Sequence, residues 1–345
     1  VAMLGSLLAG CGSSGGGSAP KADATAAAAP AGGGTEEVTT PDKVLKFTDQ
    51  NAEDSPAGMW EQKFADLVKE YTKGHIEVQL YFNNTLCGYD IQPLQAGICD
   101  FIQYVPSSAG DLDSRLGAFD APYIYRDADH RLAVFDPFNS EPLKVINEAL
   151  KDDGVMLLSS FNSGYRQITC NFPIRNLSDM KGAKIRVVPS DLYQQLFTAF
   201  GAAATPMAFS EVPTALITNV IDGQENPYSV IVSSALYEVQ KYCMETNHLP
   251  TNHGLWMNRN TYESLTPEQQ EAVLKAAYDA SAYMDKYILD KVEEYKKICE
   301  DNGMEIIDAE NGLDIDGFKA AAENVYDYFA EDWGDMPDLI RAVQP

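Results

Sequence analysis

The chain has 345 residues, enough for two domains, and it is 45% hydrophobic with 10% aromatics, so it can bury a core. Its 51 acidic residues against 25 basic ones leave a net charge of −26. That balance excludes a nucleic-acid partner and argues against peripheral binding to anionic lipid. An anionic ligand could be held only where one of the eight arginines is locally concentrated.

VAMLGSLLAGC, residues 1–11, reads as the apolar end of a signal peptide with a small-residue cleavage site, entered without its basic n-region. Leu8-Ala9-Gly10-Cys11 resembles the bacterial lipobox, so Cys11 is the expected lipidation site. The stretch is too short and too Gly-rich for a transmembrane helix. Residues 12–43 are low-complexity Gly, Ala, Ser and Pro and cannot bury enough surface to fold. They are expected to form a disordered tether with a reach of roughly 30 Å. Anchor and tether together predict an extracytoplasmic protein, lipid-anchored to the bacterial membrane at the periplasm or cell surface.

VLKFT (44–48) reads as a first strand. Ser55 then caps a helix with Pro56 in its first turn, Trp60, Phe64, Leu67 and Tyr71 on one face, and Gly74 at its close. IEVQLYF (76–82) alternates as a half-buried strand does. A short helix near 90–96 leads to a strand in CDFIQYV (99–105). This β-α-β-α-β order predicts a parallel α/β sheet.

The pattern restarts with strands in VMLLSSF (155–161), RQITCN (166–171) and AKIRVV (183–188). Ser190 and Asp191 cap a helix with Leu192, Leu196, Phe197 and Phe200 on one face, stopped by Gly201. Ser210 is expected to cap a second helix through about Thr218. VIDGQENP (220–227) comes next, with Asp222-Gly223 read as a turn at a strand's carboxyl end, where open α/β sheets bind ligands. Thr266-Pro267-Glu268-Gln269 fits a capping box opening a helix of about 35 residues, long enough to span two lobes as a strut. A last helix, about 316–331, closes the chain. Two such lobes predict a cleft that closes on a ligand by a hinge.

Without Cys11, five cysteines remain: Cys87, Cys99, Cys170, Cys243 and Cys299. No spacing among them suits a metal knuckle. Most read as buried free thiols, with Cys87–Cys99 the one pair to test as a disulfide. The sequence carries no G-x-S-x-G, no P-loop and no G-x-G-x-x-G after a strand, so no enzyme class is indicated. His248 and His253, five residues apart in a Pro-containing loop, make a poor metal site. Neither a metal nor a cofactor is expected. Asp222 and Glu225 read as turn residues rather than an acid–base pair.

Two arginines need a reason to be where they are. Arg166 in NSGYRQIT and Arg186 in GAKIRVVPS fall within or at the ends of predicted strands. An unpaired buried guanidinium is costly, so each either pairs with a structural carboxylate or faces a cleft that receives an anion. A guanidinium grips a carboxylate through two parallel bonds. Composition leaves both alternatives open.

SGYRQITCN, LSDMKGAKIRVVPS, GAAATPMAFSEVPTAL and VIDGQENP, followed by LYEVQKY and TNH, resemble the DctP-type solute-binding proteins of TRAP (tripartite ATP-independent periplasmic) transporters. KFADLVKEYTKGHIEVQLYFNNTL and FDAPYIY are similar in style, and the resemblance spans roughly residues 44–335. It implies a two-lobed periplasmic-binding-protein-like fold, with 44–163 plus 252–290 as lobe I and 164–251 plus 291–345 as lobe II. It implies a monomeric receptor, not an enzyme, that passes a small organic acid to the small and large TRAP membrane subunits. Alternatives are a lipoprotein serving a sensor or another transporter, or a lipoprotein enzyme acting on an organic acid.

By the same resemblance Arg186 is the main carboxylate clamp, Arg166 a second basic contact, Asn226 an amide on the ligand carboxylate and Phe209 an aromatic against the ligand body. Gln50, Asn51 and Tyr104 are offered as further ligand contacts. Glu225 is expected behind the binding edge. His248 is either a loop histidine bonded to backbone or a partner of Glu225 that couples closure to binding. The family's sialic-acid receptors carry an acidic residue and a nearby Arg after the third strand. Here QYVPSSAGDL has neither until Asp111, which points to a compact sugar acid or a dicarboxylate.

Overall fold

The computed structural model describes residues 40–345. Cys11, the signal segment and the tether up to residue 39 lie outside the described residues. The first strand already starts at Lys43, inside the range expected for the tether.

The first pass of the chain builds β1 (Lys43–Thr48), α1 (Pro56–Tyr71), β2 (Ile76–Tyr81), α2 (Gln92–Gln95), β3 (Phe101–Tyr104), α3 (Ala128–Val134), α4 (Glu141–Ala149) and β4 (Val155–Asn162). It then crosses over and builds β5 (Gln167–Cys170), α5 (Leu177–Met180), β6 (Lys184–Val187), α6 (Asp191–Ala199), β7 (Ala203–Pro206), α7 (Val212–Ile217), β8 (Gly223–Asn226), α8 (Tyr228–Ser233) and β9 (Tyr242–Met244). It returns as β10 (Asn252–Asn258) and α9 (Arg259–Glu263). The chain ends with α10 (Pro267–Asp301), β11 (Glu305–Ile307), α11 (Ile315–Tyr328), α12 (Ala330–Trp333) and α13 (Met336–Ala342).

Two sheets result, ordered β2-β1-β3-β10-β4 and β11-β9-β5-β8-β6-β7. In the first, β1 runs parallel to β2 and β3 while β10 is antiparallel to β3 and β4. In the second, β6 is parallel to β7 and β8 while β5 runs antiparallel to β8 and β9. Each lobe is therefore an α/β sheet with one reversed strand, and the reversed strands β5 and β10 are the two that follow a crossing.

Those crossings lie side by side. Ser163 N donates to Thr251 O at 3.0 Å, Arg166 N to Leu249 O at 2.9 Å and His248 N to Arg166 O at 3.3 Å. The hinge is thus a hydrogen-bonded ribbon of its own. Gly164 lies in it at φ +124°, a conformation L side chains rarely adopt, and a Cβ there would meet Pro227 at 3.1 Å.

The third link is α10. Thr266 and Gln269 form the expected capping box, through Gln269 N to Thr266 Oγ1 at 3.3 Å and Thr266 N to Gln269 Oε1 at 3.1 Å. The first half of α10 packs Val273, Ala276, Ala280 and Met284 against a core of Phe47, Trp60, Phe64, Phe101 and Phe161. Its far end buries Cys299 in a separate cluster of the second lobe with Ile231, Cys243 and Met304. Each aromatic buried this way stabilises the fold by roughly 1.5–3 kcal/mol.

Several expectations are corrected. VIDGQENP is not a turn, because Gly223–Asn226 is an interior strand of the second sheet. Gly223 has no positive φ and is needed for space instead: a Cβ there would lie 2.2 Å from Thr169 O on β5. Ser210 caps nothing, since Phe209–Glu211 is a 3-10 turn and α7 starts at Val212 with Pro213 in its first turn. Residues 330–342 do not stay with the second lobe. Ser114 Oγ donates to Asp332 O at 2.7 Å, and Arg126 reaches Arg341 O and Val343 O, each at 2.8 Å, so the chain end lies on the first lobe. All five cysteines among the described residues are free thiols; Cys99 touches Cys87, and burial first, then that neighbour, pushes its pKa up to about 12.

Candidate functional site

The residues singled out in the second lobe meet where β8 lies between β5 and β6. Arg166 leaves the hinge ribbon just before β5 and is 6% exposed. Its Nε and Nη2 grip the Glu225 carboxylate, with Nη2 to Oε1 at 2.9 Å, and Nη2 also reaches Glu225 O and Asn226 Oδ1, each at 3.0 Å. Burial alone would raise the Glu225 pKa, but Arg166 and His248 outweigh it and hold it below the ordinary value. Burial opposes the Arg166 charge, yet the Glu225 carboxylate raises its pKa. This guanidinium is therefore a fixed cation tied to a structural carboxylate.

Arg186 takes the other alternative. It is 3% exposed, and its Nε and Nη2 donate to Met207 O at 2.9 and 2.8 Å. Among the described residues no carboxylate pairs with it, and Nη1 has no acceptor. Burial, opposed by Glu225 and helped by Arg166, lowers its pKa, as expected for a cation short of a counter-charge. The ring of Phe209, 37% exposed, lies 5.6 Å from the Arg186 guanidinium carbon. Tyr193 flanks Arg166 at 5.3 Å, and burial pushes its hydroxyl up to about 12.

Asn226 is buried beside Arg166. Its amide nitrogen donates to Gln224 Oε1 at 2.5 Å, and Gln224 Nε2 donates in turn to Thr169 Oγ1 at 2.9 Å. Pro227, at φ −68° and ψ 158°, ends the strand directly after it. His248 is fully buried, edge-on to Phe197 and Phe200. Its Nδ1 meets Thr246 Oγ1 at 2.8 Å and its Nε2 lies 3.4 Å from Glu225 Oε2. Burial lowers its pKa, so the ring sits neutral behind the Arg166–Glu225 pair. Of the two readings left open, the geometry brings it to Glu225.

The first lobe is less uniform. Gln50 is exposed just past β1, and Asn51 Nδ2 is committed to both Asp49 oxygens at 3.0 Å. Tyr104 ends β3, partly buried, its ring tilted 45° against that of Tyr89 with centroids 4.7 Å apart. Sequence reasoning missed a polar group beside them: buried Glu61 of α1 and Gln103 of β3, with half-buried His253 of β10. The signal was present, since Glu61 shares the apolar face of α1 with Trp60, Phe64 and Val68. The role of Met207 O in orienting Arg186 leaves no sequence signal, because it is a backbone atom.

The profile of the bacterial extracellular solute-binding proteins, family 7 (DctP) matches residues 47–332. The chain belongs to this family of TRAP-type extracytoplasmic solute-binding proteins. It is 30% identical over 303 residues to the 2,3-diketo-L-gulonate-binding periplasmic protein YiaO of Escherichia coli (strain K12), covering 87% of this chain and 90% of that one. It is 28% identical over 263 residues to the C4-dicarboxylate-binding periplasmic protein DctP of Rhodobacter capsulatus, covering 75% and 78%. Among solved structures, a TRAP periplasmic solute-binding protein from Ochrobactrum anthropi superposes with a TM-score of 0.80 at 28% identity, over 88% of this chain and 94% of that one. Another, from Xanthobacter autotrophicus Py2 with bound β-D-galacturonate, gives 0.72 at 29% identity, over 87% and 100%. Members of this DctP-type family are solute-binding proteins rather than enzymes. Among the described residues no helix is long and apolar enough to cross a membrane, and no cluster of His, Cys, Asp and Glu could hold a metal.

Proposed function

We propose that this DctP-type protein captures a small organic acid in the cleft between its lobes and delivers it to a TRAP permease, as a binding protein and not an enzyme. Arg186 clamps the ligand carboxylate. Arg166 adds fixed positive charge and Asn226 an amide donor. Phe209 packs on the ligand body, and Gln50, Asn51 and Tyr104 contact it from the first lobe. Cys11 carries the lipid that keeps the monomeric receptor at the extracytoplasmic face of the membrane.

The observation that carries this reading is the contrast between the two arginines. Arg166 has a buried carboxylate partner, whereas Arg186 is equally buried and has none among the described residues. An isolated buried cation is costly unless something else supplies the anion, and a carboxylate ligand does so with orientation as well as charge.

Thermal unfolding against a library of organic acids tests it. A matching acid at a hundredfold excess over Kd stabilises the native state by about 2.7 kcal/mol. Arg186→Ala is expected to abolish that gain for every acid that gives one in wild type. A variant that responds like wild type shows that the clamp lies elsewhere.

A further inference from the structure

A cavity of about 140 Å³ lies alongside α10 from Asp285 to Tyr295, between that helix, the hinge ribbon and α8. Alternation along the extended ribbon separates it from the organic-acid site. Arg166 turns to Tyr193 and Glu225, so its neighbours Tyr165 and Gln167 turn to the opposite side, toward α8 and α10. None of Arg186, Arg166, Asn226 and Phe209 borders the cavity. Its walls come from three bodies that a hinge motion displaces relative to one another: Arg131 and Asn162 of the first lobe, Tyr228 of the second, and Ile288, Val292 and Tyr295 of the strut.

Both charged side chains that border the cavity are already paired. Arg131 binds Asp285, Asn252 and Ser160, and Asp285 also accepts from Asn162 N at 2.7 Å. Gln167 is bound to Tyr165 O and to Asn247, and the Tyr228 hydroxyl donates to Glu245 at 2.8 Å. Four polar groups of the wall keep no partner among the described residues: two amide donors, Asn162 Nδ2 and Asn247 Nδ2, and the hydroxyls of Tyr165 and Tyr295. Most of the remaining wall is hydrocarbon, from Ile288, Leu289, Val292 and the tyrosine rings. Leu289 is 51% exposed, which leaves a way in from solvent.

Water fits this space poorly. It has room for about four molecules at about 30 Å³ each, and a buried water needs about three partners. Four free groups on an apolar wall cannot satisfy that many, and an apolar cavity of about 150 Å³ stays dry and accepts benzene. An ion fits no better, because no unpaired charge faces it. A ring carrying one hydroxyl does fit: the ring fills the apolar part, while its oxygen accepts from an amide and exchanges a bond with a tyrosine hydroxyl. We propose that this cavity is a second ligand site, that it takes a neutral aromatic alcohol of about the size of phenol, and that its occupancy is coupled through the hinge to organic-acid binding. A ligand touching both lobes and the strut fits one hinge angle better than another, and that differential affinity is what shifts the hinge equilibrium. The coupling rests on the reading of this protein as an acid receptor; the site does not.

Calorimetric titration of the full chain with phenol, toluene and protonated benzylamine tests the site. Phenol is expected to bind one-to-one with a Kd of about 1 mM or tighter, and about threefold or more tighter than toluene, the worth of one hydrogen bond. Val292→Trp, which fills the space from α10, and Ser229→Leu, which fills it from α8, are each expected to abolish phenol binding. Saturating phenol is expected to change the affinity of the best organic acid by about fivefold or more, and that acid to change phenol affinity by the same factor. Absence of phenol binding, the result expected if trapped water fills the cavity, overturns the site. So does phenol binding that persists in a filled variant that folds, or that toluene or benzylamine matches. Phenol that binds without altering acid affinity overturns the coupling. If no acid binds to wild type, the acid-receptor reading falls and the coupling with it, while the phenol titration still decides the site.

Discussion

Glu225→Gln would leave Arg166 in place, buried, with its counter-charge gone. Breaking a buried pair from one side costs roughly 3–5 kcal/mol, so the variant is expected to unfold that much more easily at pH 7. The pH dependence has a definite sign. Arg166 holds the Glu225 pKa below its unfolded value, so its contribution is complete above about pH 4.3 and disappears as pH falls through the folded value. Denaturant unfolding of wild type and variant at pH 7 and pH 3.5 checks this, and a gap that stays constant would assign the loss to packing instead. The question of the two arginines was legible in KIRVV and GYRQI, but its answer was not. Partner choice depended on Glu225, which local polarity assigned to a turn, and on Met207 O, which no residue pattern reveals.

At the level of elements, strongly periodic segments were readable and short polar ones were not. The amphipathic α1 and the capped, 35-residue α10 follow from spacing and caps visible in the chain. GQEN gave no strand signal because its buried side chains are polar and satisfy one another: Glu225 with Arg166, Asn226 with Gln224, and Gln224 with Thr169. β10 was missed for a related reason, since Asn252 is buried in bonds to Arg131, Phe119 O and Asp120. The same network fixes the hinge. Asp285 of α10 accepts from Arg131 Nη1 and from Asn162 N, each at 2.7 Å, which pins the last residue of β4 to the long helix. Asp285→Ala is expected to speed hydrogen exchange in peptides spanning 160–167, while peptides in β6 and α6 keep their wild-type rates. Equal acceleration throughout would mean a global loss of stability rather than a loosened hinge.

For the whole molecule, the sequence conveyed two lobes, a hinge and a strut, because each lobe repeats a βα pattern and α10 is too long for one of them. It did not convey where the chain end goes, because α12 and α13 span only Ala330–Trp333 and Met336–Ala342, too short for their periodicity to stand out. Those residues form a clasp on the first lobe. Trp333, Met336 and Ile340 are each 3% exposed or less, and His130 Nε2 meets Ile340 O at 2.9 Å. Burying three such side chains contributes on the order of 6 kcal/mol, shared between the first lobe, whose sheet was completed by β10 some seventy residues earlier, and the end of α11, where Tyr326 and Phe329 meet Trp333. A chain ending at Phe329 should therefore lose stability unevenly. Its first lobe is expected to unfold at a lower temperature than in wild type, while the second lobe, which keeps α11 against α6, unfolds near the original one. Calorimetry that resolves two transitions, the lower absent from the full chain, would bear this out. A single transition shifted as a whole would mean that α10 and the hinge ribbon couple the lobes too tightly to unfold apart, and that the clasp stabilises the receptor as one unit.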